Sequence, residues 1–263
     1  MREILAKVHV NIPFQDLLNK YLEKFLEWGI NPEIGFNCFA LDDTNDVYFG
    51  VAEKIKSAGL KVTVHCPFMD LRPGAVDPLI RKVSEDRIKK TAGIAGQFSP
   101  LNIVGHPSFD KRYYVSNEDQ WLESSIETWG AVLTAIEPYG ASLCLENVYE
   151  TGPHQIKALL KALDSPRAGF CLDTGHFNVF AKTPLEEWVD ELGGYIKELH
   201  LHDNFGKADE HLPVGDGNFP FHHLFTMLKH DIKPVVTLEP HNEIHLWKTI
   251  ENLKKMNLLE ILE

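Results

Sequence analysis

Carboxylates and imidazoles recur at the ends of short apolar runs. V-T-V-H-C-P ends near His65, N-I-V-G-H-P near His106, L-C-L-E-N-V near Glu146, and F-C-L-D-T-G-H near Asp173 and His176. E-L-H-L-H-D-N brings His200, His202 and Asp203, D-E-H brings Asp209 and His211, and V-V-T-L-E-P-H brings Glu239 and His241. Carboxylates gathered in one closed volume repel and raise one another's pKa. A divalent cation removes that conflict. Imidazole mixed with carboxylate points to zinc or manganese, with iron, cobalt or magnesium as alternatives, rather than an all-oxygen cage. Of thirteen histidines, eight fall at or just after run ends: His9, His65, His106, His176, His200, His202, His211 and His241. His154, His222, His223, His230 and His245 fall on helical stretches and are expected to face solvent. One such histidine alone reads as a hydrogen-bonded core or loop residue; the set reads as a metal site.

Strands and helices must bring these groups together. The apolar runs are 4–11, 32–37, 61–67, 101–107, 142–147, 168–176, 196–203 and 234–240. Amphipathic stretches separate them. Residues 14–28 carry Leu17, Leu18, Tyr21, Leu22, Phe25 and Leu26 at helical spacing. Residues 47–58 end at Gly59, a glycine C-cap, and 117–139 end before Gly140. Thr183-Pro184-Leu185-Glu186 places a capping threonine before a first-turn proline and acid, and the last helix covers 242–256. Strict strand–helix alternation implies parallel strands with crossover helices, and eight units fit one closed (β/α)8 TIM barrel over residues 1–263. An open doubly wound sheet is disfavoured, because no G-x-G-x-x-G follows the first strand. Counting back by two from the polar residues gives Thr63, Val104, Cys144, Cys171, Glu198 and Thr237, mostly small or β-branched as a barrel interior requires. The polar termini therefore point inward at the C-terminal end, where this fold builds its active sites.

Composition narrows the class. With 263 residues, 44% hydrophobic and 24% charged, the chain has the make-up of a soluble globular protein. A net charge of -12 disfavours nucleic acid as a partner. Arg72, Lys111, Arg112, Lys182 and Lys207 are too scattered to form a phosphate track. Cys38, Cys66, Cys144 and Cys171 contain no C-x-x-C pair and read as reduced, buried thiols in a cytoplasmic protein; Cys144 and Cys171 read as packing. No leader and no membrane span are visible. Trp28, Trp121, Trp129, Trp188 and Trp247 fall on helices and should pack against the barrel. Phe36, Phe68 and Phe109 follow strand ends as an apolar wall, and Pro213 to Gly217 form a turn.

The set His65-Cys66-Pro67, Gly105-His106-Pro107, Leu145-Glu146-Asn147, D-T-G-H at 173–176, H-L-H-D-N at 200–204, D-E-H at 209–211 and Leu238-Glu239-Pro240 resembles the xylose-isomerase-like barrel superfamily. That group includes sugar isomerases and epimerases and the endonuclease IV enzymes of AP endonuclease family 2. Ketose 3-epimerases hold one metal with two glutamates, an aspartate and a histidine, and these match Glu146, Glu239, Asp173 and His200. The same two glutamates serve there as acid and base. Endonuclease IV holds three zinc ions with nine ligands, matched by His65, His106, Glu146, Asp173, His176, His200, Asp209, His211 and Glu239. Phe68 and Met69 match that family's lesion-probing residues by position, and read equally as ordinary loop packing.

The resemblance implies a metal-dependent isomerase or epimerase of a sugar, sugar phosphate or related hydroxy-carbonyl compound, working by proton abstraction and a metal-stabilised enediolate. His65, His106, His176, His202 and His211 would then contact substrate or orient ligands. The alternatives are a multi-zinc phosphodiester hydrolase and a non-catalytic metal-dependent binding barrel. The implied partner is a small carbohydrate-like molecule, with an oligomer open.

Overall fold

The computed structural model describes residues 1–228 and 232–262. Eight strands close into a barrel in chain order. They are β1 (His9–Pro13), β2 (Asn31–Gly35), β3 (Thr63–His65), β4 (Asn102–Gly105), β5 (Ser142–Glu146), β6 (Ala168–Asp173), β7 (Ile196–Leu201) and β8 (Val235–Leu238). Every neighbouring pair is parallel, including β1 with β8. The crossover helices are α1 (Leu22–Trp28), α2 (Asn45–Ser57), α3 (Pro78–Ala95), α4 (Glu118–Ile136), α5 (His154–Leu163), α6 (Leu185–Leu192), α7 (Phe221–Met227) and α8 (Glu243–Met256).

Local chemistry sets the helix ends. Asp77 caps α3 by accepting from Leu79 N and Ile80 N, and Pro78 occupies the first turn, where no amide is needed. Gly59, at φ +71°, turns the chain after α2. α5 buries Ile156, Leu159 and Leu160, the spacing of one helical face. Outward strand residues such as Leu143, Leu145, Phe170 and Leu199 meet these faces, and all are fully buried. Trp121, Trp129 and Trp188 fill the same layer; a Cβ on Gly105 would stand 2.5 Å from the Trp129 ring, so that strand position must be glycine for the indole to lie flat.

Several sequence expectations shift. Arg2–Leu5 is a helix, so the first strand starts at His9 and runs to Pro13. His9 therefore sits at the N-terminal end of the barrel, not at the site. The sixth run stops being a strand at Asp173, and Thr174–Phe180 is helical. Thr183 does not cap α6; its hydroxyl accepts from Trp188 Nε1 at 2.9 Å instead. Cys38 is exposed, while Cys66, Cys144 and Cys171 are buried. Phe109 packs on Trp121 at 4.8 Å and forms no pocket wall. His245 is half-buried against the His211 carbonyl, and His230 lies outside the described residues. No helix among the described residues is long and apolar enough to cross a membrane.

The barrel interior is divided. Val104, Cys144 and Cys171 make a small apolar cluster on one side. Asn11, Glu33, Thr63, Asn102, Glu198 and Thr237 make a hydrogen-bonded polar side, joined through Asn11–Glu33, Thr63–Glu33, Asn102–Glu198 and Thr237–Glu198.

Candidate metal centre

Strand ends deliver most of the site. His65 and Glu146 close β3 and β5, Asp173 closes β6, His200 lies in β7, and His106, His202 and Glu239 stand at or one residue beyond their strands. His176 is in the first turn of the Thr174–Phe180 helix, whose N-terminus Asp173 caps by accepting from His176 N at 2.6 Å. Glu146, Asp173, His200 and His202 are at most 1% exposed, so each polar atom needs a partner inside the protein.

These side chains converge. Glu146 Oε2 lies 3.0 Å from His65 Nε2, 3.1 Å from His106 Nε2 and 3.6 Å from His200 Nδ1, and Glu146 Oε1 lies 3.1 Å from His176 Nδ1. His200 Nδ1 is 3.1 Å from Glu239 Oε1 and 4.0 Å from Asp173 Oδ2. Asp209 Oδ2 receives His176 Nε2 at 3.3 Å and His211 Nε2 at 3.2 Å. All nine residues anticipated for a multi-metal cluster thus meet in one volume. His202, anticipated as a substrate contact, lies as deep as His200, with Nε2 3.0 Å from both Asp173 oxygens. Its presence explains the glycine of D-T-G-H, because a Cβ on Gly175 would stand 2.0 Å from the His202 ring.

Neighbouring strand-end residues do other work. Asp203 faces a loop: its oxygens accept from the amides of Asn204, Gly215, Gly217 and Phe219 at 2.9–3.1 Å. The 213–217 segment is accordingly a turn held by that carboxylate. His241 stacks on His211 at 4.3 Å, outside the ring of carboxylates.

Electrostatics follow the geometry. Burial opposes charge on Glu146, but His106 and His200 outweigh it and hold the carboxyl well below its ordinary range. Glu239 is likewise buried and held low by His200, and Asp209 by His176 and His211. Burial alone would depress His65, yet its contact with Glu146 lifts it to about 9. His211 also reaches about 9, against burial, through Asp209 and Glu239. His106 goes the other way, with burial prevailing.

The donor set fits a divalent ion. His200 Nδ1, His202 Nδ1 and Asp209 Oδ1 are buried yet have no hydrogen-bond partner. An orphaned imidazole nitrogen ringed by carboxylates is what a ligand looks like without its ion. Ligand atoms lie within 4.8 Å of one another in His65–His106–Glu146, Glu146–Asp173–His200, Asp173–His176–His202, His202–His211–Glu239 and Glu33–His200–Glu239. Glu33 was not anticipated. It is fully buried on β2, and its sole sequence signal is an acid inside the apolar run N-P-E-I-G-F. Above the cluster opens a cavity of about 1150 Å³, bordered by His65, Phe68, Arg72, His106, Asp209 and Glu239 among others. Phe68 stacks on His106 at 4.7 Å and is half exposed.

A model of the xylose isomerase-like TIM barrel family matches residues 32–256, and the chain belongs to that family. It is 29% identical over 205 residues to an uncharacterised protein of Methanocaldococcus jannaschii, covering 74% of this chain and 70% of the relative. It is 28% identical over 177 residues to a probable endonuclease 4 of Mesomycoplasma hyopneumoniae, covering 59% of this chain and 60% of that protein. The fold matches a crystal structure of a D-tagatose 3-epimerase-like protein with a TM-score of 0.80 and 25% identity, over 97% of this chain and 98% of that one.

Proposed function

We propose that this protein is a divalent-metal-dependent isomerase or epimerase of a sugar, sugar phosphate or related hydroxy-carbonyl compound. One observation carries the reading: Glu146 and Glu239 reach the same nitrogen, His200 Nδ1, from two different strands. With Asp173 they make a compact group of carboxylates, and on this reading the two glutamates both hold the ion and move protons. A zinc or manganese ion held there would supply Lewis-acid polarisation of a substrate carbonyl. Glu146 or Glu239 takes a proton from the adjacent carbon, and the other returns one. General base action of this kind contributes about 10²–10⁴-fold. His65, His106, His176, His202 and His211 border the reacting centre and orient ligands or substrate hydroxyls. Arg72 lines the cavity together with Lys20 and Lys24, unlike Lys111, Arg112, Lys182 and Lys207, and its guanidinium suits an anionic group on the substrate. The likeness to the D-tagatose 3-epimerase-like protein supports this substrate class. The buried thiols Cys66, Cys144 and Cys171 suit a reducing cytoplasmic compartment.

The test is a panel of sugars, sugar phosphates and keto acids with several metals, run on the wild type, Glu146→Gln and Glu239→Gln. Isomerase or epimerase turnover lost in both variants supports the roles; activity kept in both rejects them.

A second reading, a multi-zinc phosphodiester hydrolase, is favoured by ligand-type groups beyond that set: His65 with His106, and Asp209 with His176 and His211. Metal analysis separates the two. About one ion per chain fits the isomerase, and two or three fit a cluster that clamps a phosphate ester. Cleavage of an abasic-site oligonucleotide with zinc would select the hydrolase.

A further inference from the structure

We propose that Glu33 is the positioning residue of His200, accepting the Nε2 proton so that Nδ1 faces Glu146, Asp173 and Glu239 as a bare lone pair. The proposal rests on the metal-centre reading but not on any particular reaction.

The two residues are 167 positions apart and meet across the barrel, from β2 and β7, with no exposure at either. Both Glu33 oxygens lie 3.3 Å from His200 Nε2. Glu33 is itself fixed: Oε1 accepts from Asn11 Nδ2 at 2.8 Å, and Oε2 accepts from Thr63 Oγ1 at 3.1 Å. Its carboxylate therefore cannot swing away when the imidazole rotates. On the opposite edge of the ring, Nδ1 is buried and makes no aligned hydrogen bond, although Glu239 Oε1 lies 3.1 Å from it.

The nitrogens of an imidazole point in divergent directions, so a group bonded at Nε2 does not share an ion bound at Nδ1. A fixed acceptor at one nitrogen places the proton there and makes the other the ligand, while raising its basicity. At Nε2 the other carboxylate is Glu198, but its nearest oxygen is 3.9 Å away and its oxygens already accept from Thr237 and Asn102. At Nδ1 the competing acceptor is Glu239 Oε1, 3.1 Å away but not aligned for a hydrogen bond. Glu33 thus selects the edge of His200 that faces the ion, from a strand that contributes no other group to the centre.

The test uses full-length protein and zinc alone. Zinc affinity of the wild type, Glu33→Gln, Glu33→Leu and the control Glu198→Gln is read by competition with a chelator. Long-range ¹H–¹⁵N spectra of the zinc-loaded forms report which His200 nitrogen carries the proton. The wild type should show Nε2–H with a downfield proton, and the Glu33 variants should lose about 10–100-fold in zinc affinity with that proton shifted upfield or exchanging. Glu198→Gln should leave the His200 resonance in place. Coordination through Nε2 with Nδ1 protonated would overturn the proposal, as would zinc affinity within twofold of wild type in folded Glu33→Gln. If neither Glu33 variant folds, the wild-type tautomer still decides. No arm depends on turnover, so failure of the isomerase reading leaves this result intact.

Discussion

His9 and His65 are both buried imidazoles on barrel strands, one at each end, and they respond to burial in opposite ways. His9 opens β1, has no partner at either ring nitrogen, and is pushed down to about 4 by burial despite the distant pull of Glu33. His65 closes β3, is equally enclosed, and is lifted to about 9 by Glu146. The residue type is the same; what differs is whether a carboxylate was built opposite it. At the N-terminal end the histidine is a neutral packing group. At the C-terminal end, buried carboxylates and imidazoles pack against one another in groups that could hold a metal ion.

The largest effect that could break this contrast lies in the acids. Glu146→Gln and Glu239→Gln should each lower turnover by about 10³-fold or more while the protein stays folded, since the amide keeps the shape and loses the proton exchange. Steady-state kinetics beside a thermal melt checks this, and a variant that simply unfolds would shift the role toward structure. Asp209→Ala and His211→Ala come next. Both groups sit on a loop and not on strands, so about one zinc per chain should remain at the Glu146–Asp173–His200–Glu239 set, with activity down about 10–100-fold. Loss of all zinc from either variant would show that loop and strands share a single site.

The two ends should also separate by pH. His9 is protonated in the unfolded chain below about 6.5 but resists protonation in the fold down to about 4. It therefore subtracts stability as pH falls through that window, by roughly 3 kcal/mol in full. His9→Leu should flatten the acid side of the stability curve relative to wild type, and identical slopes from pH 6.5 to 4 would refute the assignment. His65 and His211 carry the reverse sign. Their folded pKa values are raised, so the metal-free protein keeps their contribution below about 6.5 and loses it as pH climbs through about 9. Melting temperature of the metal-free protein should fall between pH 6.5 and 9; a zinc-loaded protein that holds steady there would place His65 and His211 among the ligands and select the multi-zinc reading, since bound imidazoles are already deprotonated.

Much of this was legible in the sequence because a strand buried on both faces should be apolar, and departures at a common level stand out. His65, His106, Glu146, Asp173, His200 and Glu239 were readable on that rule, and closure of the barrel brought them together. The rule fails where an inward polar residue lies within a strand rather than at its end. Glu33 is such a case: its importance comes from β7 standing across the interior, a relation that exists only after closure. It fails again for His9, because the apolar run 4–11 conceals a helical turn at Arg2–Leu5, and helix and strand are not separable over so few residues. Thr183 illustrates a competition that local pattern cannot settle, since a buried indole claimed its hydroxyl before the helix amides could.

Asp203 has a wider consequence. By gathering four loop amides, and with its own backbone paired both ways to Leu212, it cinches the segment that bears Asp209 and His211. The entropy of ordering that stretch is lost when the chain folds, not when an ion arrives. On the multi-zinc reading, a cation would meet Asp209 and His211 already held in place and would keep the chelate advantage nearly whole.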